Sequence, residues 1–263
     1  MPYVVGDVHG CLEALLRLLH QAGLVGPGGQ WIGGAAELWF LGDYTDRGPD
    51  GVGVLELLMR LEEEAQQVGG AVHALLGNHD LILLAAYRFS QEKVPSLLEA
   101  GEQVNFLELW RHVGGQPHDL ERLEERHVRW LEARPALARV GETLLMHADS
   151  TFYLELGERL EEVNQNLQAL LRSTQVEAWD ALIGLFSTRF AFVRGGVPLT
   201  KEFLRLLSAE RLVHGHTPIY TLLGCPPQAV REPLTYNQGL CHNVDPALWK
   251  GGPGFVWSLP ANT

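Results

Sequence analysis

Three short polar loops, each led by glycine and each directly following an apolar run, constrain this chain more than any other feature. Gly6-Asp7-Val8-His9-Gly10 follows the run at 3–5. Gly42-Asp43-Tyr44-Thr45-Asp46-Arg47-Gly48 follows 38–41, and Gly77-Asn78-His79-Asp80 follows 71–76. Runs this short, bounded by glycine, predict buried strands. Between the first two, Leu12, Leu15, Leu16 and Leu19 repeat at helical spacing and Gly23 offers a stop. Between the second pair, Val52, Leu55, Leu58, Met59 and Val68 mark a second helix. The series is βαβαβ, which calls for a largely parallel sheet, and the right-handed crossover rule puts all three loops on one edge. That edge, at the carboxyl ends of the strands, is where open α/β sheets bind ligands.

Farther along the pattern changes. Residues 80–135 read as nearly continuous helix. Within them the charge-rich stretch 119–134 is expected to be one helix that ends before Pro135, its charges forming a solvated face. Two strands are expected at 137–140 and 143–146, the second delivering His147. Residues 154–207 are again helical, with breaks near Ser187-Thr188-Arg189 and at Gly195-Gly196. A strand at 211–213 then leads into His214-Gly215-His216-Thr217-Pro218, and short strand-like runs follow at 219–223, 228–231, 240–244 and 254–259. A β-rich end after an α/β start predicts a second sheet packed on the first. The expectation is therefore one domain over residues 1–263, with helical insertions at about 80–135 and 154–207.

Composition narrows the function. With 46% apolar residues the chain can bury a full core. The net charge of −12 argues against a nucleic-acid backbone or an anionic membrane as a partner. An anionic substrate would need strong local positive charge, such as metal ions. Three cysteines (Cys11, Cys225, Cys241) show no CxxC spacing. With no leader-like segment after Met1-Pro2, they read as reduced thiols in a cytoplasmic protein.

Five strand ends now carry Asp7 and His9; Asp43 with Asp46 and Arg47; Asn78 with His79; His147; and His216. A lone Gly-Asp is an ordinary turn and a lone histidine an ordinary polar residue. Their joint occurrence after successive strands points to a shared site. Carboxylate, imidazole and amide donors suit Mn, Fe or Zn better than Mg or Ca, and their number suits two ions, which a carboxylate can bridge.

These three loops resemble the signature blocks of the calcineurin-like metallophosphoesterases. The Tyr44 and Asp46-Arg47-Gly48 details resemble the Ser/Thr protein phosphatase branch. His147 followed by Ala148-Asp149 is closer to the bacterial and phage lambda-type members. The resemblance spans about residues 3–218. It implies an α/β fold of two mixed β-sheets packed as a sandwich and flanked by helices. It further implies that Asp7 and His9 hold one divalent ion, that Asp43 bridges, and that Asn78, His147 and His216 hold the second, with Mn the first expectation and Fe or Zn the alternatives. His79 would be the general acid, oriented by Asp46. Arg47, with Asn78 and His79, would meet the phosphate. A second phosphate-binding arginine is expected before His216: Arg189, whose context Phe186-Ser187-Thr188-Arg189 resembles that in bacterial and phage members, or else Arg194. Pro218, where phosphodiesterase branches often carry a further histidine, cannot ligate. His214 reads as structural.

The activity so implied is hydrolysis of phosphomonoesters, phosphoserine or phosphothreonine in proteins, by direct attack of a hydroxide bridging the two ions. Paired cations bring water's pKa toward neutrality, and the arginines hold the oxygens where charge accumulates. The alternative is a symmetrical bis(5'-nucleosyl)-tetraphosphate hydrolase, with similar motifs but an anhydride substrate. A non-catalytic, metal-stabilised binding module is a third reading.

Overall fold

A computed structural model describes residues 2–259. β1 (Pro2–Val5), α1 (Leu12–Gln21), β2 (Glu37–Phe40), α2 (Gly51–Gln67) and β3 (Ala71–Ala74) form the opening series, with β1, β2 and β3 parallel. A helical block follows: α3 (Asn78–Phe89), α4 (Pro95–Glu99), α5 (Phe106–His112), α6 (Pro117–Arg122) and α7 (Glu125–Glu132). The antiparallel pair β4 (Leu137–Val140) and β5 (Thr143–Met146) leads into a second helical block: α8 (Tyr153–Leu156), α9 (Leu160–Leu171), α10 (Val176–Phe186) and α11 (Ala191–Leu206). The chain closes with β6 (Arg211–His214), α12 (Ile219–Leu223), β7 (Leu234–Tyr236), β8 (Cys241–Asn243) and β9 (Trp257–Ser258).

Two mixed sheets result, ordered β3-β2-β1-β9 and β4-β5-β6-β8-β7. Val4, Leu41, Leu75, Leu145, Val213 and Val244 pack together from both sheets as the layer between them. A larger apolar cluster lies between the sheets' outer faces and the helices. In the second sheet β5, β6 and β8 are parallel, so their carboxyl ends also share an edge. Each sheet thus presents three parallel strand ends. Among the described residues, no helix is long and apolar enough to cross a membrane.

Several local expectations need correction. Residues 119–134 are not one helix: α6 and α7 are separated at Leu123 and Glu124, and Glu124 is extended. Nor are their charges all solvated, because Asp119 is buried and accepts the Gly51 and Val52 N–H groups at the start of α2. The bond meets two unpaired donors at a helix N-terminus. Residues 219–223 form a short helix and 227–229 a 3-10 turn rather than strands. A short apolar run carries no period long enough to separate the two states. β7 was not anticipated. The expected breaks in the second helical block are present, at residues 187–190 and at Gly196, which has φ 60° inside α11.

Candidate metal and phosphate site

The first sheet's loops lock into one another through backbone groups. Val8 and His9 N–H donate to the Asp43 carbonyl, and Gly10 N–H to that of Tyr44. Asp80, at the start of α3, accepts from the N–H groups of Asp43, Tyr44 and Gly77. Asp43 Oδ1 in turn accepts His79 N–H at 2.9 Å. The packing tolerates no side chain at Gly77, where a Cβ would lie 2.2 Å from Asp43 Oδ1. His9, Asp43, Asp46, Arg47 and His216 all have positive φ, between 47° and 68°. Left-handed backbone at several non-glycine residues of one cluster is the strain that functional sites hold in place by surrounding bonds.

The second sheet meets these loops from across the sandwich. His147, one residue past β5, donates from Nδ1 to the Leu41 carbonyl at 2.8 Å. His216, two past β6, has its N–H on Asp7 Oδ1 at 2.9 Å. The intervening Gly215 has no room for a Cβ, which would lie 2.1 Å from that same oxygen. Asp245, two past β8, is buried; its Oδ1 accepts Ala247 N–H, and its charge acts on Asp7.

Proton bookkeeping shows what the cluster lacks. His147 spends its ring proton on Leu41, so Nε2 carries a lone pair. That lone pair faces Asn78 Oδ1 at 3.0 Å and Asp43 Oδ1 at 3.4 Å. His9 likewise has Nδ1 on the Thr45 carbonyl, leaving Nε2 facing Asp43 Oδ2 at 3.5 Å and Asp7 Oδ2 at 3.9 Å. The buried His216 Nε2 finds no hydrogen-bond partner among the described residues. His147 Nε2 and Asn78 Oδ1 are thus two acceptors facing each other, and His9 Nε2 is met only by an Arg47 N–H; a cation would satisfy such a set. Among the described residues, two donor groups are compact enough to hold an ion: His9, Asp43 and His79, and Asp43, His147 and His216. Asp43 belongs to both.

Electrostatics agree with that reading. Burial first, then neighbouring carboxylates, push Asp7 and Asp43 well above the usual carboxylate range. Burial and nearby positive charge hold His9, His79 and His216 well below the ordinary imidazole value, and burial brings His147 to about 3. Neutral imidazoles among crowded carboxylates leave an unmet demand for positive charge. The donor set of carboxylate, imidazole and amide fits divalent transition ions.

Beside the donors lies a chain of hydrogen bonds. His79 Nδ1 is 2.7 Å from Asp46 Oδ2, and Asp46 Oδ1 accepts the Trp110 indole N–H at 2.7 Å. Burial raises Asp46 to about 7. Arg47 donates to His9 Nε2 and to His79 Nε2, both at 2.8 Å. Its guanidinium lies over the Trp249 ring, 4.6 Å from the centroid, and its backbone N–H is held by the Gly114 carbonyl.

Of the residues singled out as donors, His9, Asp43, His147 and His216 fall in these two groups, where His79, expected as general acid, stands in place of Asp7; Asp7 Oδ2 lies 3.9 Å from His9 Nε2 and Asn78 Oδ1 3.0 Å from His147 Nε2. The Arg189 charge reaches His79, His147, His216 and Asp245. Arg194 instead stacks on Phe190 at 5.4 Å. His214 is buried, with Nε2 on the Tyr236 hydroxyl at 2.8 Å. Sequence reasoning missed Asp245, Trp110 and Trp249. Asp245 had one available signal, its place just past a strand-like run. Trp110 sits at a core-like helical position, and nothing local announces its bond to a residue 64 positions earlier.

Comparison with known proteins gives a family, two relatives and a likeness of fold. A family model described as "Calcineurin-like phosphoesterase" matches residues 3–242. The symmetrical bis(5'-nucleosyl)-tetraphosphatase of Enterobacter sp. (strain 638) is 30% identical over 216 residues, 78% of this chain and 64% of that protein. The enzyme of the same name from Escherichia coli O1:K1 / APEC is 34% identical over 190 residues, 69% of this chain and 55% of that one. The chain thus spans less than two thirds of the length of these relatives. Among solved structures, a mutant form of a cold-active protein tyrosine phosphatase superposes with a TM-score of 0.71 at 21% identity, covering 97% of this chain and 73% of the other. That likeness is one of fold.

Proposed function

The chain belongs to the calcineurin-like phosphoesterase family, and from that premise we propose that it is a dinuclear metal-dependent hydrolase of dinucleoside tetraphosphates, cutting them symmetrically. The observation that carries the metal chemistry is the pair of donor groups sharing Asp43. The substrate class rests on the relatives, whose printed name is symmetrical bis(5'-nucleosyl)-tetraphosphatase. This places the tetraphosphate reading ahead of the protein phosphatase expected from the motifs.

Asp7 and His9 would hold one ion, Asn78, His147 and His216 the other, with Asp43 between. Mn is our first choice, and Fe or Zn suits the same donors. Bound there, the ions supply Lewis acidity toward water and the phosphate oxygens. The chain's own residues do the rest. Arg47 now occupies the lone pair of His9 Nε2 that an ion would take. Displaced from it, the guanidinium keeps its Trp249 stack and turns its N–H groups to phosphate. Arg189, beside the second sheet's strand ends, adds charge that reaches the site histidines, and exposed Lys250, 4.8 Å from the Trp249 ring centroid, adds more for a tetraphosphate. Asn78 orients an oxygen beside them. His79 Nε2 faces the site because Nδ1 is fixed on Asp46.

An anhydride's leaving phosphate needs no proton, whereas an alkoxide does. The His79–Asp46–Trp110 chain therefore favours a second reading, in which phosphomonoesters are also turned over. The test is a panel with Mn(II)-loaded protein: diadenosine tetraphosphate, a phosphoserine peptide and p-nitrophenyl phosphate. The tetraphosphate is expected to give the highest kcat/KM and ADP as its sole nucleotide product. Faster turnover of the phosphopeptide, or release of ATP and AMP, would overturn the primary reading.

A further inference from the structure

The arginine from the second sheet's side has no strand of its own to place it. Arg189 lies in a four-residue break between α10 and α11, and Phe190 after it has a left-handed backbone, φ 71°. An irregular segment aims a long side chain only if something fixes it on both flanks. Three long-range bonds do so, and all three go to Asp149 and Ser150, just past His147 at the end of β5.

On the near flank, the Thr188 hydroxyl lies 2.6 Å from that of Ser150 and donates to the Leu185 carbonyl. On the far flank, Ala191 N–H donates to the Asp149 carbonyl at 3.1 Å, and Phe192 N–H to Asp149 Oδ1 at 2.8 Å. The last two bonds take free donors at the start of α11, as a cap does, but the acceptor belongs to a residue 43 positions away. Asp149 and Ser150 stand directly after His147-Ala148 at the end of β5. The Ala148 N–H is pinned by the Tyr153 hydroxyl at 2.9 Å. Asp149 is fully buried and Ser150 nearly so.

We infer that Asp149 and Ser150 are positioning residues that clip the Arg189 segment to the β5 end, so that the second arginine is set against the same strand terminus as His147. The inference rests on Arg189 meeting phosphate, as proposed above. Neither clip residue touches substrate. What matters at Asp149 is an acceptor at Oδ1, not its charge, because the group it serves is a backbone N–H.

A double-mutant cycle decides this, read both as kcat/KM on diadenosine tetraphosphate and as inorganic phosphate affinity by calorimetry, with Mn(II)-loaded protein. Arg189→Ala is expected to lower kcat/KM about 100-fold, the scale of removing one preorganised donor to a developing charge. Asp149→Ala is expected to lose most of that factor alone and to add less than about 2-fold in the Arg189→Ala background. Asp149→Asn keeps the acceptor and is expected to stay within about 3-fold of the parent. Ser150→Ala is expected to cost only a few-fold, again vanishing without Arg189.

Additive losses would overturn the clip while leaving Arg189's role standing. Parent-like turnover and phosphate affinity in Arg189→Ala would overturn both. Should Asp149→Ala not fold, Asp149→Asn still decides: a loss as deep as that of Arg189→Ala refutes an acceptor-only role. Should diadenosine tetraphosphate not be turned over, that substrate reading fails, and the phosphate-affinity cycle still judges the clip. Absence of phosphate binding by the Mn(II)-loaded parent would refute it.

Discussion

The two sheets supply the same site by different means. On the first, three strands each end in a compact loop whose polar residues are consecutive, and the loops brace one another through Asp80 and the Asp43 backbone. On the second, each strand end gives a single residue, His147, His216 or Asp245, and distant segments support the first two, Asp149 bonding α11 and Asp7 taking the His216 N–H, while Asp245 sits in a local turn with Ala247. The helical blocks add further supports, Trp110 behind Asp46 and Gly114 behind Arg47. The first sheet carries a self-contained half-site. The second carries donors whose aim depends on the rest of the fold.

This contrast predicts a graded set of losses. The largest is at the one residue both halves share. Asp43→Ala should lower turnover at least about 10³-fold, the scale of removing a member of a unit that acts together. Retention of more than a tenth of activity would break the two-group picture. Gly215→Ala comes next: with a Cβ 2.1 Å from Asp7 Oδ1, the link between the sheets must shift. Mn(II) affinity should fall about 10–100-fold, as when an outer support is lost, measurable by calorimetry.

Trp110→Phe keeps the ring and removes the N–H held by Asp46. It should cost about 10-fold on p-nitrophenyl or peptide monoesters. The loss on diadenosine tetraphosphate should be smaller, so equal losses would argue against leaving-group protonation through His79. Trp249→Leu removes the stack on Arg47 and should raise KM about 3–10-fold with little change in kcat, the scale of an exposed to partly desolvated cation–π contact.

The smallest effect is on stability. Below pH 6.5 two trends oppose each other in ion-free protein. Imidazoles whose pKa values are depressed by folding add stability as pH rises, while carboxylates whose values are raised remove it. Above pH 6.5 the imidazole contribution is flat, while raised carboxylates still titrate: Asp46 and Asp80 near 7, and Asp7 and Asp43 elevated by burial and by neighbouring carboxylates. Ion-free protein should therefore lose stability from pH 6.5 to 8. Mn(II), replacing those protons at Asp7 and Asp43, should offset the loss. The Mn(II)-induced rise in Tm should grow by about 2–4 °C per pH unit for each proton retained. A rise independent of pH would show that these carboxylates are already ionised without the metal.

How much was legible from residues alone follows the same division. The first sheet's loops could be read because glycine, donor and strand end are neighbours in sequence. His147 and His216 could be read because each follows a recognisable apolar strand. The helix expected over 119–134 failed because Asp119 serves a helix terminus far away in the chain, which no local pattern encodes. The run at 219–223 was misread because five apolar-rich residues fit strand and short helix alike. Asp245 and Trp110 were passed over because their partners, Asp7 and Asp46, are close only after folding.

The order of strands and polar loops, set by spacing and glycine, was sufficient by itself to place carboxylate, amide and imidazole donors on one edge and to demand cations there. Which lone pairs face one another without a proton, which arginine reaches them and what holds it were decided only in three dimensions. The reason is physical: a donor's identity is local, but its direction is fixed by hydrogen bonds and packing contacts between segments up to 209 residues apart, as between Asp7 and His216.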